Sequence, residues 1–158
     1  DGCNAPAYAL SLATMARAFA LLAQPSGPAA AALQAIGDAM RAHPELVSAS
    51  SGFLDTVLMQ AVPGLVAKRG AEGYFALGLA DGRGLALKVL DGDGFGRAVG
   101  VATVAALVRS GVLEEAALPP SLAAFGPRLV LRDVTGQVIG SIRPARRWYH
   151  AIRRGLVR

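Results

Sequence analysis

The sequence predicts an α+β fold in which an antiparallel sheet is flanked by helices. Alanine- and leucine-rich segments with an apolar residue every three or four positions, typical of helices, fill the first part of the chain. Two pairs of short apolar runs follow, and each pair encloses a glycine-containing turn, which indicates hairpins. The 158 residues are enough for one hydrophobic core. We therefore expect one domain over residues 1–143, followed by a basic tail over residues 144–158.

Three helices are predicted before the first hairpin. The first covers Pro6–Leu22, where large apolar residues recur at helical spacing. The second covers Pro28–His43, because a proline suits a first helical turn and Pro44 stops the helix. Val47–Gly52 is small and polar and is predicted to be a loop. The third helix covers Phe53–Val62 and ends at a Pro-Gly pair.

The first hairpin is predicted from two apolar runs around an Asp-Gly turn. Tyr74–Leu79 and Leu85–Leu90 are its strands, since Asp-Gly tolerates the positive φ angles of a tight turn. Asp93 is then a plausible N-cap for a helix over Phe95–Ser110. This helix is apolar almost all round, so we expect it to lie buried against the sheet.

A second hairpin is predicted near the end of the domain. Leu129–Leu131 and Gln137–Ile142 are short apolar runs on either side of a Thr-Gly pair, and both are predicted to be strands. Between the long helix and this hairpin, Leu118–Phe125 is a short helical or irregular link.

The basic character of the chain belongs to its tail. The net charge is +5, but six arginines and no acid lie in Arg143–Arg158, so the rest of the chain is close to neutral. Trp148, Ile152 and Leu156 recur every four residues, which predicts an amphipathic basic helix. Such a helix either contacts nucleic acid or an anionic membrane, or docks its apolar stripe on the domain. We do not expect a nucleic-acid or membrane partner.

Other function classes are disfavoured by the composition. No uninterrupted apolar stretch is long enough for a transmembrane helix. A single cysteine excludes an internal disulfide and suits a reducing compartment, so we expect a cytoplasmic protein. No nucleophile elbow Gly-x-Ser-x-Gly and no phosphate-binding glycine loop is present.

Lys68 and Gly70 form the most informative candidate site. They stand just before the first predicted strand, where a lysine can aim its ammonium into a cleft at the sheet edge and hold a carboxylate or polarise a reacting group. The alternative is a surface lysine, which the residues alone favour. Cys3 beside Asp1 can bind a metal or attack a carbonyl if its pKa is lowered, or it can be a small buried side chain. The loop serines, Ser48 among them, suit a polar turn.

Several motifs, taken in order, resemble the bacterial L-asparaginase II family of the rhizobial inducible type. These motifs are short, and they occur in the same order as in the family over roughly Asp1–Pro144. They are Asp1-Gly2-Cys3 followed by Pro6, Met40–Val47, Asp55-Thr56 with Leu58-Met59, Lys68–Gly73, Gly84–Lys88 with Asp91-Gly92, and Thr135–Pro144.

The resemblance implies a fold and an activity. The fold would be that of serine β-lactamases and glutaminases, and the reaction would be hydrolysis of the L-asparagine side-chain amide to aspartate and ammonia. The family nucleophile is a serine in a Ser-x-x-Lys motif, which this sequence lacks. The chain therefore resembles the C-terminal half of the catalytic domain, and we expect it to need its N-terminal half and to be inactive alone.

The resemblance also implies roles for individual residues. Asp1 matches an aspartate of the substrate pocket, and Cys3 matches one cysteine of a metal site, usually zinc, whose other ligands would lie upstream. Lys68 and Gly70 occupy the place of the lysine-glycine strand motif of related serine hydrolases, so they would line the cleft, with Lys68 binding substrate.

Some residues depart from the family pattern, and some alternatives stay open. Asn4 replaces a glycine, Ser48–Gly52 replaces a more glycine-rich loop, and the arginine tail has no family counterpart. A glutaminase-like serine amidohydrolase and a non-catalytic binding module that uses the tail are the other functions. Substrate preference and oligomeric state, a homodimer included, are also open.

Overall fold

The computed structural model describes residues 4–6, 8–48, 52–94, 96–145 and 148. Helices dominate the first half of this part of the chain, and a three-stranded hairpin array and a separate hairpin follow. A short 3₁₀ helix also covers Glu115–Ala117. The elements are α1 (Leu12–Ala23), α2 (Ala30–Ala42), α3 (Pro44–Ser48), α4 (Leu54–Ala61), β1 (Val66–Arg69), β2 (Tyr74–Gly78), β3 (Gly84–Lys88), α5 (Val99–Arg109), α6 (Pro120–Ala123), β4 (Leu129–Arg132) and β5 (Val138–Ile142).

The strands form two antiparallel sheets. The larger sheet has the order β1-β2-β3, with Lys68 opposite Ala76 and Leu77 opposite Leu85. The smaller sheet pairs β4 with β5 and is irregular between Leu131 and Arg132. The predicted α+β class with antiparallel strands and flanking helices is therefore confirmed.

The two faces of the larger sheet are packed differently. Phe75 and Leu77 point to one face and join the main hydrophobic core with side chains of α4 and α5, such as Leu58 and Leu107. The opposite face carries Gly78, and α1 lies on that face. Because helices cover both faces, the central strand β2 is buried along most of its length.

Paired glycines let the backbone of α1 lie directly on the sheet. Gly78 and Gly84 are opposite each other in β2 and β3. A Cβ atom added at Gly78 would be 1.9 Å from the carbonyl oxygen of Phe19, and one added at Gly84 would be 1.9 Å from that of Ala16. Only glycine at both positions leaves room for the helix at this distance.

The structure corrects several predicted boundaries. Helix α1 begins at Leu12 rather than Pro6, because the Ser11 hydroxyl accepts a hydrogen bond from the Thr14 amide and caps the helix. The loop predicted over Val47–Gly52 is wrong at its start, because Pro44 begins the short helix α3, which extends to Ser48. The predicted start of α5 at Phe95 is also wrong, since this helix begins at Val99.

The most important correction concerns Lys68. It was predicted to precede the first strand, but it lies inside β1, which the sequence reasoning missed. This strand has two fully buried apolar residues, Val66 and Ala67, before its charged end. So short a run has no recognisable period, and the pairing with β2 is what makes it a strand.

Most of the predicted basic helix at residues 143–158 lies outside the described residues. Trp148 is described, and its side chain packs against the hydrophobic core. Within the described residues, no helix combines the length and apolar character that a membrane crossing requires.

Candidate functional site

A cleft of about 710 Å³ opens beside the end of β1. Its walls come from the start of α4, from the β1–β2 connection and from the loop that leads into α5. Lys68 and Gly70 both line it, as do Phe53, Arg69 and Tyr74. The structure thus brings the two predicted cleft residues to one cavity.

Lys68 is held at the cleft by two hydrogen bonds. The strand buries Val66 and Ala67, so Lys68 is half-buried where the chain emerges. Its Nζ atom lies 3.2 Å from the Ser48 Oγ atom and 3.0 Å from the carbonyl oxygen of Arg69. An ammonium group has three donors, so these bonds leave one N–H for another acceptor.

A buried carboxylate, Asp55, organises the groups behind Lys68. It is the second residue of α4 and is fully buried. Asp55 Oδ2 accepts hydrogen bonds from Ser48 Oγ at 2.5 Å and from the Arg69 amide at 3.0 Å. Asp55 Oδ1 accepts one from the Thr56 amide at 3.1 Å. These contacts satisfy a carboxylate that would otherwise be strongly unfavourable in the core.

Sequence reasoning missed the role of Asp55 and treated Ser48 as part of a polar turn. A usable signal was present, because an acidic residue in the first turn of a helix interacts favourably with the helix dipole. What the sequence did not indicate is that α4 would place this carboxylate against the open edge of β1.

A second cation stands at the cleft. The Arg69 guanidinium lies 3.7 Å from the centre of the Phe53 ring, which is close enough for a cation–π interaction. Asp93 also lines the cleft, but its carboxylate accepts hydrogen bonds from the amides of Ala98 and Val99. Two cations and an acid already bonded to backbone make the cavity suited to a ligand with a carboxylate.

Part of the cleft lining is apolar. Gly70 lies against the Tyr74 ring, where an added Cβ atom would approach a ring carbon to 2.6 Å. The Tyr74 hydroxyl is buried and has no hydrogen-bond partner among the described residues. Burial raises the pKa of Tyr74 above its ordinary value of 10.0, so this phenol is neutral at physiological pH.

A family model for L-asparaginase II matches residues 1–144. The chain belongs to the L-asparaginase II family. No curated protein matches the sequence. Membership in this family indicates an amidohydrolase whose substrate is asparagine, and it agrees with a cleft that presents two cations.

Two of the predicted asparaginase site residues, Asp1 and Cys3, lie outside the described residues. Within residues 4–6, 8–48, 52–94, 96–145 and 148, no three His, Cys, Asp or Glu side chains are grouped to hold a metal ion. Cys3, and with it the predicted zinc site, remains a prediction.

Proposed function

We propose that this chain forms one wall of an L-asparaginase active-site cleft, in which Lys68 is the cation that acts on the substrate. The observation that carries the proposal is the position of Lys68 in a chain of this family. Its ammonium is fixed at the cleft by two bonds, and one N–H remains for a substrate oxygen.

This wall of the cleft can supply some of the groups that amide hydrolysis requires. The reaction develops negative charge on the amide oxygen in the transition state and needs a proton for the leaving ammonia. Lys68 can stabilise that charge or supply that proton. The Arg69 guanidinium can attract the α-carboxylate of asparagine, and we propose Asp1 as a further contact to the substrate.

The nucleophile is proposed to come from outside this sequence. No Ser-x-x-Lys motif occurs in the 158 residues. We therefore assign the chain to the C-terminal half of a catalytic domain of the rhizobial inducible type, with the fold of serine β-lactamases and glutaminases. Cys3 would supply one zinc ligand and the others would come from upstream residues. The single cysteine supports a reducing compartment, the cytoplasm.

An ammonia-release assay tests the proposal. The chain is measured alone and together with the polypeptide segment encoded immediately upstream, with L-asparagine and L-glutamine as substrates. We expect no turnover by the chain alone and asparagine hydrolysis by the combined protein. Glutamine hydrolysis faster than asparagine hydrolysis would instead indicate a glutaminase.

Substitution of Lys68 tests whether the activity lies in this cleft. Lys68→Met should lower kcat/KM about a hundredfold or more, because it removes a charged donor from the transition state. Arg17→Met is the control, since Arg17 is an exposed basic residue of α1 and does not line the cleft. Asparaginase activity of the chain alone, or full activity of Lys68→Met, would refute the proposal.

A further inference from the structure

We infer that Ser48 and Asp55 are positioning residues that hold the Lys68 ammonium in its working place. The inference rests on the proposed function of Lys68 and deepens it. It assigns a purpose to a buried carboxylate and a half-buried hydroxyl that the proposed reaction does not otherwise use.

The direction of the hydrogen bonds supports this assignment. A serine hydroxyl has one proton and can also accept. The Ser48 hydroxyl donates its proton to Asp55 Oδ2. The oxygen of Ser48 is then left to accept from Lys68 Nζ, which can only donate as an ammonium. The result is a series of two hydrogen bonds, in which Lys68 donates to Ser48 and Ser48 donates to Asp55.

The Asp55 carboxylate, at the end of this series, also accepts hydrogen bonds from backbone amides. Asp55 Oδ1 accepts from the Thr56 amide and Oδ2 from the Arg69 amide, so both α4 and β1 hold the carboxylate. The Thr56 hydroxyl in turn donates to the carbonyl oxygen of Pro44, at the start of the helix that ends in Ser48. Helices α3 and α4 and strand β1 therefore hold the side chains of Ser48 and Asp55, which position Lys68.

The same direction argues against Ser48 as a substitute nucleophile. A serine activated by a lysine must pass its proton to a neutral amine. Here the proton of Ser48 is directed away from Lys68 and towards Asp55. Ser48 thus acts through Lys68 and does not itself attack the substrate.

Nuclear magnetic resonance of the lysine ammonium groups tests the positioning directly, because the chain has two lysines, Lys68 and Lys88. The full 158-residue chain is labelled with ¹⁵N, and the hydrogen exchange rate of each ammonium is measured. In Ser48→Ala the Lys68 rate should rise about tenfold, since one of its two bonds is removed. Ser48→Thr keeps the hydroxyl and should stay within about twofold of wild type.

A matched control and a kinetic readout accompany this measurement. Ser110→Ala removes another helix-terminal serine, whose hydroxyl bonds the Leu107 carbonyl, and should leave the Lys68 rate unchanged. In the combined protein, Ser48→Ala should lower kcat about tenfold with little change in KM, because misplacement of a group harms mainly the transition state. Ser48→Thr should recover most of this loss.

The outcomes separate the inference from the function that it extends. An unchanged Lys68 exchange rate in Ser48→Ala would overturn the inference, even if the combined protein hydrolyses asparagine. So would an acyl-enzyme adduct on Ser48, or a Ser48→Thr variant that behaves like Ser48→Ala. If the wild-type combined protein releases no ammonia, the proposed function fails, and the exchange rates alone decide whether Ser48 positions Lys68.

Discussion

The close approach of α1 to the sheet makes Gly78→Ala a quantitative test of the packing. The added Cβ atom would lie 1.9 Å from the carbonyl oxygen of Phe19, whereas Cβ contacts under 3.0 Å essentially never occur. Relief requires a shift of about 1.1 Å between helix and strand, because the opposing atom is backbone and cannot rotate away. The same helix is held equally closely at Gly84, which restricts the shift.

Overpacking of a core usually costs about 1–3 kcal/mol, and a backbone contact places Gly78→Ala at the upper end, near 3 kcal/mol. For a chain of this size we expect the midpoint of thermal unfolding to fall by roughly 6–12 °C. Gly52→Ala is the control, because an added Cβ there has no neighbour within 4 Å among the residues that the structure describes. Urea unfolding of both variants measures the difference. A Gly78→Ala variant within about 0.5 kcal/mol of wild type would refute the packing argument.

The remaining predictions concern polar groups near the cleft. Asp93→Ala should lower the free energy of unfolding by about 2 kcal/mol in urea unfolding, because the amides of Ala98 and Val99 lose their acceptor and alanine is strained at the φ of 48° found there. The exposed Asp38→Ala is the control and should change it much less; equal effects of the two would contradict the capping role. Tyr74→Phe should raise the free energy of unfolding by about 1 kcal/mol at pH 7, because it removes a buried hydroxyl that has no hydrogen-bond partner in the described part of the chain. Burial raises the pKa of Tyr74, so the folded state holds this proton more tightly, and wild-type stability should fall as the pH rises above 10.0, towards the raised value. Tyr74→Phe lacks this loss in alkaline urea titrations, and destabilisation by this variant at pH 7 would contradict the reasoning.

Elements with a strong local signal were predictable from the sequence. The β2–β3 hairpin follows from its Asp-Gly turn, and Gly82 has the positive φ that such a turn requires. Asp93 was predicted as the N-cap of α5, and this is wrong, because the N-cap is Ala98 and the helix starts four residues later than expected. The Asp93 carboxylate nevertheless accepts hydrogen bonds from the amides of Ala98 and Val99 at the start of the helix. In these cases the information lies within a few residues of the feature.

The site was less predictable because it depends on distant parts of the chain. Lys68 and Gly70 line a cavity beside β1, but their place in an asparaginase cleft rests on the resemblance to the family and stays a prediction. Strand β1 exists because β2 pairs with it, and Asp55 matters because α4 places it against that strand. Neither Asp55 nor Ser48 is near Lys68 in sequence, and no periodicity reports a contact between them.

The way in which Arg69 is bonded has a consequence for self-association. Its amide donates to Asp55 and its carbonyl oxygen accepts from Lys68, so side chains occupy the main-chain groups that an incoming strand would need. A second molecule cannot add a strand at this point without first displacing a buried carboxylate. The side chains of Asp55 and Lys68 therefore also hinder aggregation by strand addition at Arg69.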